Sequence, residues 1–195
     1  METWELACLV LYCCVVALLA LYGCHRYQML HLYYRHHQKT VTPSGTFEQL
    51  PPVTVQLPLY NESEVVERLL TAVAALDYPG DRLQVQVLDD SEDETQERAR
   101  AVVDRLSSQG FDIVYLRRDQ RVGFKAGALA NGLQQASGEF VLILDADFVP
   151  PPEILKQCIH YFTDPGIGMV QMRWGHLNRS YSLLTRIQSI FLDGH

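Results

Sequence analysis

Hydrophobic residues fall into three patterns along this chain: one long apolar run, several short runs, and helical repeats between the short runs. The long run, Trp4 to Cys24, carries one charge, Glu5, and its length matches the roughly 20 residues that span a bilayer as a helix. Residues 26–50 then carry basic and aromatic side chains of the kind found at membrane interfaces. We predict a transmembrane anchor over residues 1–25, an interfacial helix and linker over 26–50, and a folded domain over 51–195.

The short apolar runs of the domain are typical of buried strands. Strands are predicted at residues 53–59, 83–88, 111–116, 140–144 and 168–172. Helical repeats separate them, with Asn61 and Glu64 as a reciprocal cap of the first helix and Ser91 and Glu94 as a capping box of the second. Further helices are predicted near residues 153–162 and 182–192. This alternation indicates right-handed crossovers, and therefore an α/β fold with a doubly wound, mostly parallel sheet.

The composition is that of a globular protein, with 48% hydrophobic and 20% charged residues. A net charge of -7 argues against nucleic acid as a partner, because binding a phosphate backbone needs a basic face. Most of the cysteines lie inside the predicted anchor, and no CxxC spacing is present. The cysteines therefore indicate neither a disulfide framework nor a structural zinc site.

The charges beside the apolar run predict its orientation. Arg26, Arg35 and Lys39 follow the run, and basic residues favour the cytoplasmic side. We expect an integral protein of the cell membrane, with the amino terminus outside and the domain in the cytoplasm. A cleaved signal peptide or lipoprotein box is disfavoured because glutamates replace the usual basic start. A wetted interfacial helix explains the histidines after the run more simply than a metal site does.

Acidic residues follow two predicted strands directly. Asp145 and Asp147 follow one strand, and Asp89 and Asp90 follow another. Parallel strands place their carboxyl ends at the ligand-binding edge of an open α/β sheet, so we expect these carboxylates to converge there with Asn61. Paired carboxylates suit Mg²⁺ or Mn²⁺, which share their remaining ligands with phosphates. Taken alone, each pair is also consistent with a polar turn or a solvated helix start.

The segment RVGFKAGALANG supplies a positive charge. Gly123 and Gly127 allow close approach of the backbone to a ligand, and Lys125 offers a point charge to phosphate. The spacing matches neither the dinucleotide fingerprint GxGxxG nor a Walker loop. By itself the segment is a weak signal.

Five segments together, PLYNE, VLDDSEDET, RVGFKAGAL, LDADFVPPPE and VQMRW…TRIQS, resemble glycosyltransferase family 2. Within it they are most similar to cellulose synthase-like β-mannan and β-glucan synthases. The resemblance implies an A-type glycosyltransferase fold and a membrane-bound inverting enzyme that transfers hexose from UDP-glucose or GDP-mannose to a growing β-linked polysaccharide. It implies Mg or Mn as cofactor, and a nucleotide sugar, a polysaccharide or glycan acceptor and the membrane as partners.

The resemblance also implies roles for individual residues. The loop that cups the base corresponds to Leu59, Tyr60, Asn61 and Glu62. Asp89 corresponds to the aspartate that contacts the base, with Asp90 as a helper. Lys125 corresponds to the lysine near the diphosphate. Asp145 corresponds to the residue near the ribose and the metal, and Asp147 to the metal ligand.

The chain also departs from the family pattern. The acidic motif that provides the general base is expected beyond His195, so the fold is expected to be incomplete at its carboxyl end. Gln171 to Trp174 is one residue too short for the acceptor motif QxxRW. One alternative is a membrane-tethered nucleotide-sugar-binding fragment without activity, or half of a split enzyme. Another is a DxD phosphohydrolase, with Asp145 as nucleophile and Asp147 as acid and base.

Overall fold

A computed structural model describes residues 2–37, 41–173 and 175–192, so Lys39, Trp174 and His195 lie outside the described residues. The chain divides into two compact units, residues 1–42 and 43–195. In the described residues of the first unit there is one helix, α1 (Thr3–His36), which is long and apolar enough to cross a membrane. Its 34 residues extend about 50 Å, against roughly 30 Å for the hydrocarbon core of a bilayer. The predicted anchor and the interfacial stretch after it therefore form one continuous helix as far as His36.

The second unit is built on a four-stranded parallel sheet. Its strands are β1 (Val53–Leu59), β2 (Leu83–Asp89), β3 (Ile113–Arg117) and β4 (Phe140–Ile143), in the order β3-β2-β1-β4. The predicted parallel α/β sheet is confirmed. The fifth strand predicted at 168–172 is wrong, since those residues form no regular structure and Met169 is 78% exposed. A strand needs a neighbour for its backbone hydrogen bonds, and this stretch pairs with none of the described strands.

The helices follow the strands as the pattern predicts. They are α2 (Val66–Ala74), α3 (Thr95–Ser108), α4 (Phe124–Leu133), α5 (Ile154–Cys158) and α6 (Leu183–Leu192), with short 3-10 helices at Gly80–Arg82 and Ile159–Thr163. The chain passes from β1 to β2 to β3 in one direction and then returns to the other side of β1 for β4. Such a reversal of strand order is where open α/β sheets bind ligands.

The two faces of β1 are buried in different ways. Val53, Val55 and Leu57 belong to the apolar core that includes residues of α2 and α3. Between them, Thr54 and Gln56 are buried polar residues that hydrogen-bond to glutamines of β2. Gln56 Nε2 also donates to the Leu129 carbonyl of α4 at 3.3 Å. Helix α4 therefore packs on the polar face of the sheet, and its first turn follows the carboxyl end of β3.

The predicted side-chain caps of α2 and α3 are wrong. At the start of α3 the Thr95 N–H donates to Asp93 Oδ1 at 3.0 Å, and not to Ser91. Among the described residues, no side-chain hydrogen bond caps α2, which begins at Val66. Asn61 has a φ of 55° and instead joins two loops: its backbone N–H donates to Ser91 Oγ, and its Oδ1 accepts from the Glu92 N–H, both at 2.9 Å. The side chains expected to cap helices are used to connect the loops after β1 and β2.

Residues of the predicted linker pack within the second unit. The Phe47 ring lies 6.2 Å from the Phe140 ring, and the Phe47 N–H donates to His160 Nδ1 at 3.1 Å. The Tyr78 hydroxyl donates to the Pro51 carbonyl at 2.6 Å. These contacts fix the chain where it enters β1.

Candidate functional site

The predicted site residues lie at the carboxyl ends of the strands, in the loops that follow these strands, or at the start of α4. They are Leu59, Tyr60, Asn61 and Glu62 at the end of β1, Asp89 and Asp90 at the end of β2, Lys125 in α4, and Asp145 and Asp147 after β4. The loops after β1 and β2 are joined through Asn61 and through a backbone hydrogen bond from the Asp90 N–H to the Leu59 carbonyl at 3.1 Å.

Asp89 is buried and already hydrogen-bonded. Asp89 is 1% exposed. Its Oδ1 accepts from the Ser91 N–H at 2.8 Å, and its Oδ2 accepts from the Tyr115 hydroxyl at 2.6 Å. Burial, together with the hydrogen bond to Asp89, raises the pKa of Tyr115 to about 12. The Arg100 guanidinium, 4.8 Å from the centre of the Tyr115 ring, acts in the opposite direction on that pKa. Asp89 thus fixes the start of the loop after β2.

Asp90, the next residue, forms a two-point ion pair with Arg118. Arg118 Nε donates to Asp90 Oδ1 at 3.0 Å, and Nη2 donates to Oδ2. The two side chains are 14% and 6% exposed. The hydrogen bond to Asp90 raises the pKa of Arg118 above its ordinary value, so the guanidinium is charged at every physiological pH.

Arg118 is missing from the sequence prediction, although the sequence contains a signal for it. Arg117 and Arg118 end β3 as Asp89 and Asp90 end β2, and the sheet register pairs Arg117 with Asp89. A basic pair and an acidic pair at the ends of neighbouring parallel strands are expected to meet. A local sequence pattern predicts the strands but not the register between them, so it does not show that Arg118 meets Asp90.

An ion pair between Lys125 and Asp145 joins the start of α4 to the turn after β4. Lys125 is the second residue of α4, and its Nζ forms an ion pair with Asp145 Oδ1. Both side chains are about half exposed, at 52% and 44%. The Phe148 N–H donates to the Asp145 carbonyl at 3.1 Å, so the chain turns directly after β4 and leaves Asp147 exposed.

Arg121, which the sequence pattern did not indicate, stacks on the ring of Tyr60. The guanidinium carbon of Arg121 lies 3.3 Å from the centre of the Tyr60 ring and 5.1 Å from that of Phe124. Arg121 Nε is buried and has no hydrogen-bond partner within the described residues. The loop before α4 therefore contacts the loop after β1 through a cation–π stack.

The carboxylates suit a cation that also binds substrate oxygens. No group of three or more His, Cys, Asp or Glu side chains that could hold a metal occurs in the described part of the chain. Asp145 and Asp147 can contribute two oxygen donors, and Mg²⁺ or Mn²⁺ completes its shell with water and phosphate oxygens. This donor set fits such an ion better than Zn²⁺, which takes three or four protein ligands. A separate cavity of about 420 Å³, lined by His176, Leu177, Arg179, Ser180 and Arg186, contains none of the predicted residues.

Comparison with known proteins decides the family. Residues 54–190 match the family described as Glycosyl transferase family 2. This chain belongs to glycosyltransferase family 2. It is 43% identical over 150 residues to glucomannan 4-beta-mannosyltransferase 2 of Arabidopsis thaliana, an alignment that covers 74% of this chain and 28% of that protein. It is 41% identical over 150 residues to glucomannan 4-beta-mannosyltransferase 1 of Oryza sativa subsp. japonica, covering 74% of this chain and 29% of the relative.

Two solved structures have the same fold. The mannosyltransferase PcManGT from Pyrobaculum calidifontis, in complex with GDP-Man and Mn²⁺, matches with a TM-score of 0.66 and 31% identity over 80% of this chain and 46% of that one. S. aureus TarS in complex with UDP-GlcNAc matches with a TM-score of 0.51 at 24% identity over 64% of this chain and 38% of that chain, which supports the fold alone.

The match to family 2 confirms the predicted resemblance, the A-type glycosyltransferase fold and the assignment to a glycosyltransferase family. It decides against the phosphohydrolase alternative. This chain spans less than a third of the length of either glucomannan mannosyltransferase.

Proposed function

We propose that this chain forms the donor-binding part of a β-mannosyltransferase that uses GDP-mannose and a divalent cation, Mg²⁺ or Mn²⁺. The observation that carries the proposal is the Lys125–Asp145 pair beside exposed Asp147, at the carboxyl edge where the strand order reverses. The identity to glucomannan mannosyltransferases supports mannose as the sugar. The GDP-Man and Mn²⁺ in the PcManGT complex support the guanosine donor and the cation.

In this proposal Asp145 and Asp147 hold the cation, and Lys125 binds the diphosphate. A bound divalent cation neutralises the charge that develops on the diphosphate as it leaves. The Lys125 side chain is flexible and about half exposed. Its ammonium group can therefore leave the Asp145 carboxylate and bind a phosphate oxygen instead. The chain thus supplies two kinds of positive charge, one fixed to α4 and one recruited by the carboxylates.

The nucleoside would lie against the loop after β1. Tyr60 offers an aromatic surface, and exposed Asn61 and Glu62 border it. Leu59 is buried and supports this loop through its backbone. Asp89 is 1% exposed and both of its oxygens are bound by Ser91 and Tyr115, so in this proposal it supports the base-binding loop from below instead of contacting the base.

The membrane and acceptor assignments are also part of the proposal. Helix α1 would anchor the chain in the cell membrane, with residues 1–25 in the bilayer, 26–50 joining them to the domain, and residues 51–195 in the cytoplasm. The acceptor would be a growing β-linked polysaccharide, in line with the activity named for the plant relatives.

Calorimetry on the full chain in detergent tests the donor and the cation together. Titrations with GDP-mannose and UDP-glucose are compared, each with Mn²⁺, with Mg²⁺ and with EDTA. We expect GDP-mannose to bind more tightly by about tenfold or more, equivalent to about 1.4 kcal/mol, and binding to weaken strongly in EDTA. Tighter binding of UDP-glucose would refute the mannosyl donor, and equal binding in EDTA would refute the cation site.

A further inference from the structure

One side chain makes four hydrogen bonds around the connection between β3 and α4, residues 118–123, and the first residue of α4. Besides its two bonds to Asp90, Arg118 donates from Nη1 to the Val122 carbonyl at 2.9 Å and from Nη2 to the Phe124 carbonyl at 3.1 Å. A single guanidinium therefore connects the end of β2 to both ends of the turn that begins α4. The geometry requires the planar fork of arginine, which lysine cannot reproduce.

The turn that Arg118 holds has an unfavourable backbone. Gly123 has a φ of 72° and Phe124 a φ of 49°, and a bulky residue rarely adopts such a value unless its surroundings impose it. The loop also lies so close to α4 that a Cβ on Gly127 would be 2.0 Å from the Val122 carbonyl oxygen and 2.6 Å from Arg118 Nη1. The hydrogen bonds from Arg118 satisfy the carbonyls that this tight path turns inward.

Lys125 directly follows this turn. Its backbone position is set by Phe124, whose carbonyl Arg118 binds, and its side chain reaches Asp145. A change in the turn would therefore move the lysine relative to the carboxylates after β4.

We propose that Arg118 and Asp90 are positioning residues, a buried ion pair that fixes the turn at residues 122–124 and so directs Lys125 to the donor diphosphate. The inference rests on the proposed function, in which Lys125 binds that diphosphate. It gives Asp90 a different role from a contact with the nucleotide, because both of its oxygens bind Arg118 and its side chain is 6% exposed.

The test is a double-mutant cycle on the full chain in detergent, with Mn²⁺·GDP as the probe and affinity measured by calorimetry. Arg118→Lys keeps the charge but loses the fork, and it is measured with Lys125 present and in a Lys125→Ala background. We expect the arginine change to weaken GDP binding about tenfold when Lys125 is present and by less than about twofold when it is absent, since groups that act through one another are not additive. Asp90→Asn should reproduce this pattern.

Two controls separate positioning from general damage. Arg105→Lys alters an exposed pair, Arg105 with Glu67 at 3.9 Å, and should leave GDP binding unchanged. Guanosine without phosphates should bind the Arg118→Lys chain as it binds the original, because only the diphosphate contact is misplaced. Parallel loss of guanosine binding would overturn the inference in favour of a general structural role.

The outcomes also distinguish this inference from the proposed function. If Lys125→Ala leaves GDP and UDP binding unchanged, the diphosphate role of Lys125 fails, and the inference fails with it. If Lys125→Ala weakens binding but Arg118→Lys weakens it equally in both backgrounds, the proposed function stands and only the positioning role is refuted. The same cycle with UDP covers a uridine donor, because the base does not enter the argument.

Discussion

At the residue scale, Asp147 is the side chain whose change should affect cation binding most directly. Asp147 is exposed in the turn after β4. Nearby Asp145 already forms an ion pair with Lys125 through its Oδ1. We expect Asp147→Asn to weaken Mn²⁺-dependent GDP-mannose binding by at least about tenfold, since even changes around metal ligands cost that much. Asp104→Asn, an exposed change within α3, is the matched control. Unchanged cation-dependent binding in the Asp147 variant, measured by calorimetry, would remove this residue from the site.

Tyr115 predicts a dependence of stability on alkaline pH. Burial and the bond to Asp89 raise its pKa from 10.0 to about 12, so the folded chain favours the neutral phenol. This contribution to stability is complete below pH 10 and is lost as the pH rises from 10 towards 12. We expect Tyr115→Phe to be less stable at pH 8, by about 1–3 kcal/mol for the unsatisfied Asp89 oxygen, and to lose less stability on going to pH 11. Urea unfolding at both pH values measures this, and parallel losses in the two chains would contradict it.

The same residues show what a sequence can and cannot predict about this site. Asp89 and Asp145 were located correctly at the sheet edge because strand periodicity is local and the topology then determines which ends meet. The partners of Asp89 and Asp90, which are Tyr115 and Arg118, depend on the register between β2 and β3, which no single stretch of sequence contains. The charged residues could therefore be predicted, but not which of them neutralise one another.

At the scale of elements, burial of α2 against the sheet should determine much of the stability. Leu70 is fully buried in the apolar core between α2 and the strands. We expect Leu70→Ala to lower the free energy of unfolding by about 2–5 kcal/mol, through lost burial and the cavity left behind. The same change at Leu133, which ends α4 and is 58% exposed, should cost less than about 0.5 kcal/mol. If urea unfolding showed a loss at Leu70 as small as the loss at Leu133, α2 would not be part of the cooperative core.

Prediction of the elements succeeded where the pattern was repeated and failed where it rested on single side chains. The four strands of the sheet and the helices between them have several residues each at a constant period. The two predicted caps rested on Asn61 and Ser91, which bind each other's loops instead. The stretch 168–172 is apolar enough for a strand, but it pairs with none of the described strands, and hydrophobicity alone does not report pairing.

At the scale of the whole molecule, α1 predicts a topology. Arg26 and Arg35 lie in its second half, beyond the apolar run, and basic residues are retained on the cytoplasmic side. We expect residues from Val53 onward to be in the cytoplasm. In sealed, right-side-out vesicles, external protease should leave the second unit intact and digest it only after detergent is added. Digestion without detergent would reverse the orientation or indicate cleavage of α1.

The activity of the 195-residue chain by itself follows from which part of the reaction its residues can support. An inverting transfer needs a charge-stabilised leaving group, a general base at the acceptor hydroxyl and a held acceptor. Asp89, Lys125, Asp145 and Asp147 belong to the donor side of the proposed site. The family resemblance places the base in a later acidic motif, and this chain aligns with only 28% of its Arabidopsis relative.

A positioned general base is worth about 10²–10⁴ in rate, and none of these four residues is assigned that role. We therefore expect the purified chain, incubated with labelled GDP-mannose and Mn²⁺, to bind the nucleotide sugar and to form no polymer. The Asp147→Asn chain serves as the control for binding, because it should lose the bound label as well. Polymer formed by the unaltered chain would mean that the base and the acceptor site lie within residues 1–195. The exposed acidic residues bordering Tyr60, Glu62 first among them, would then be the groups to substitute.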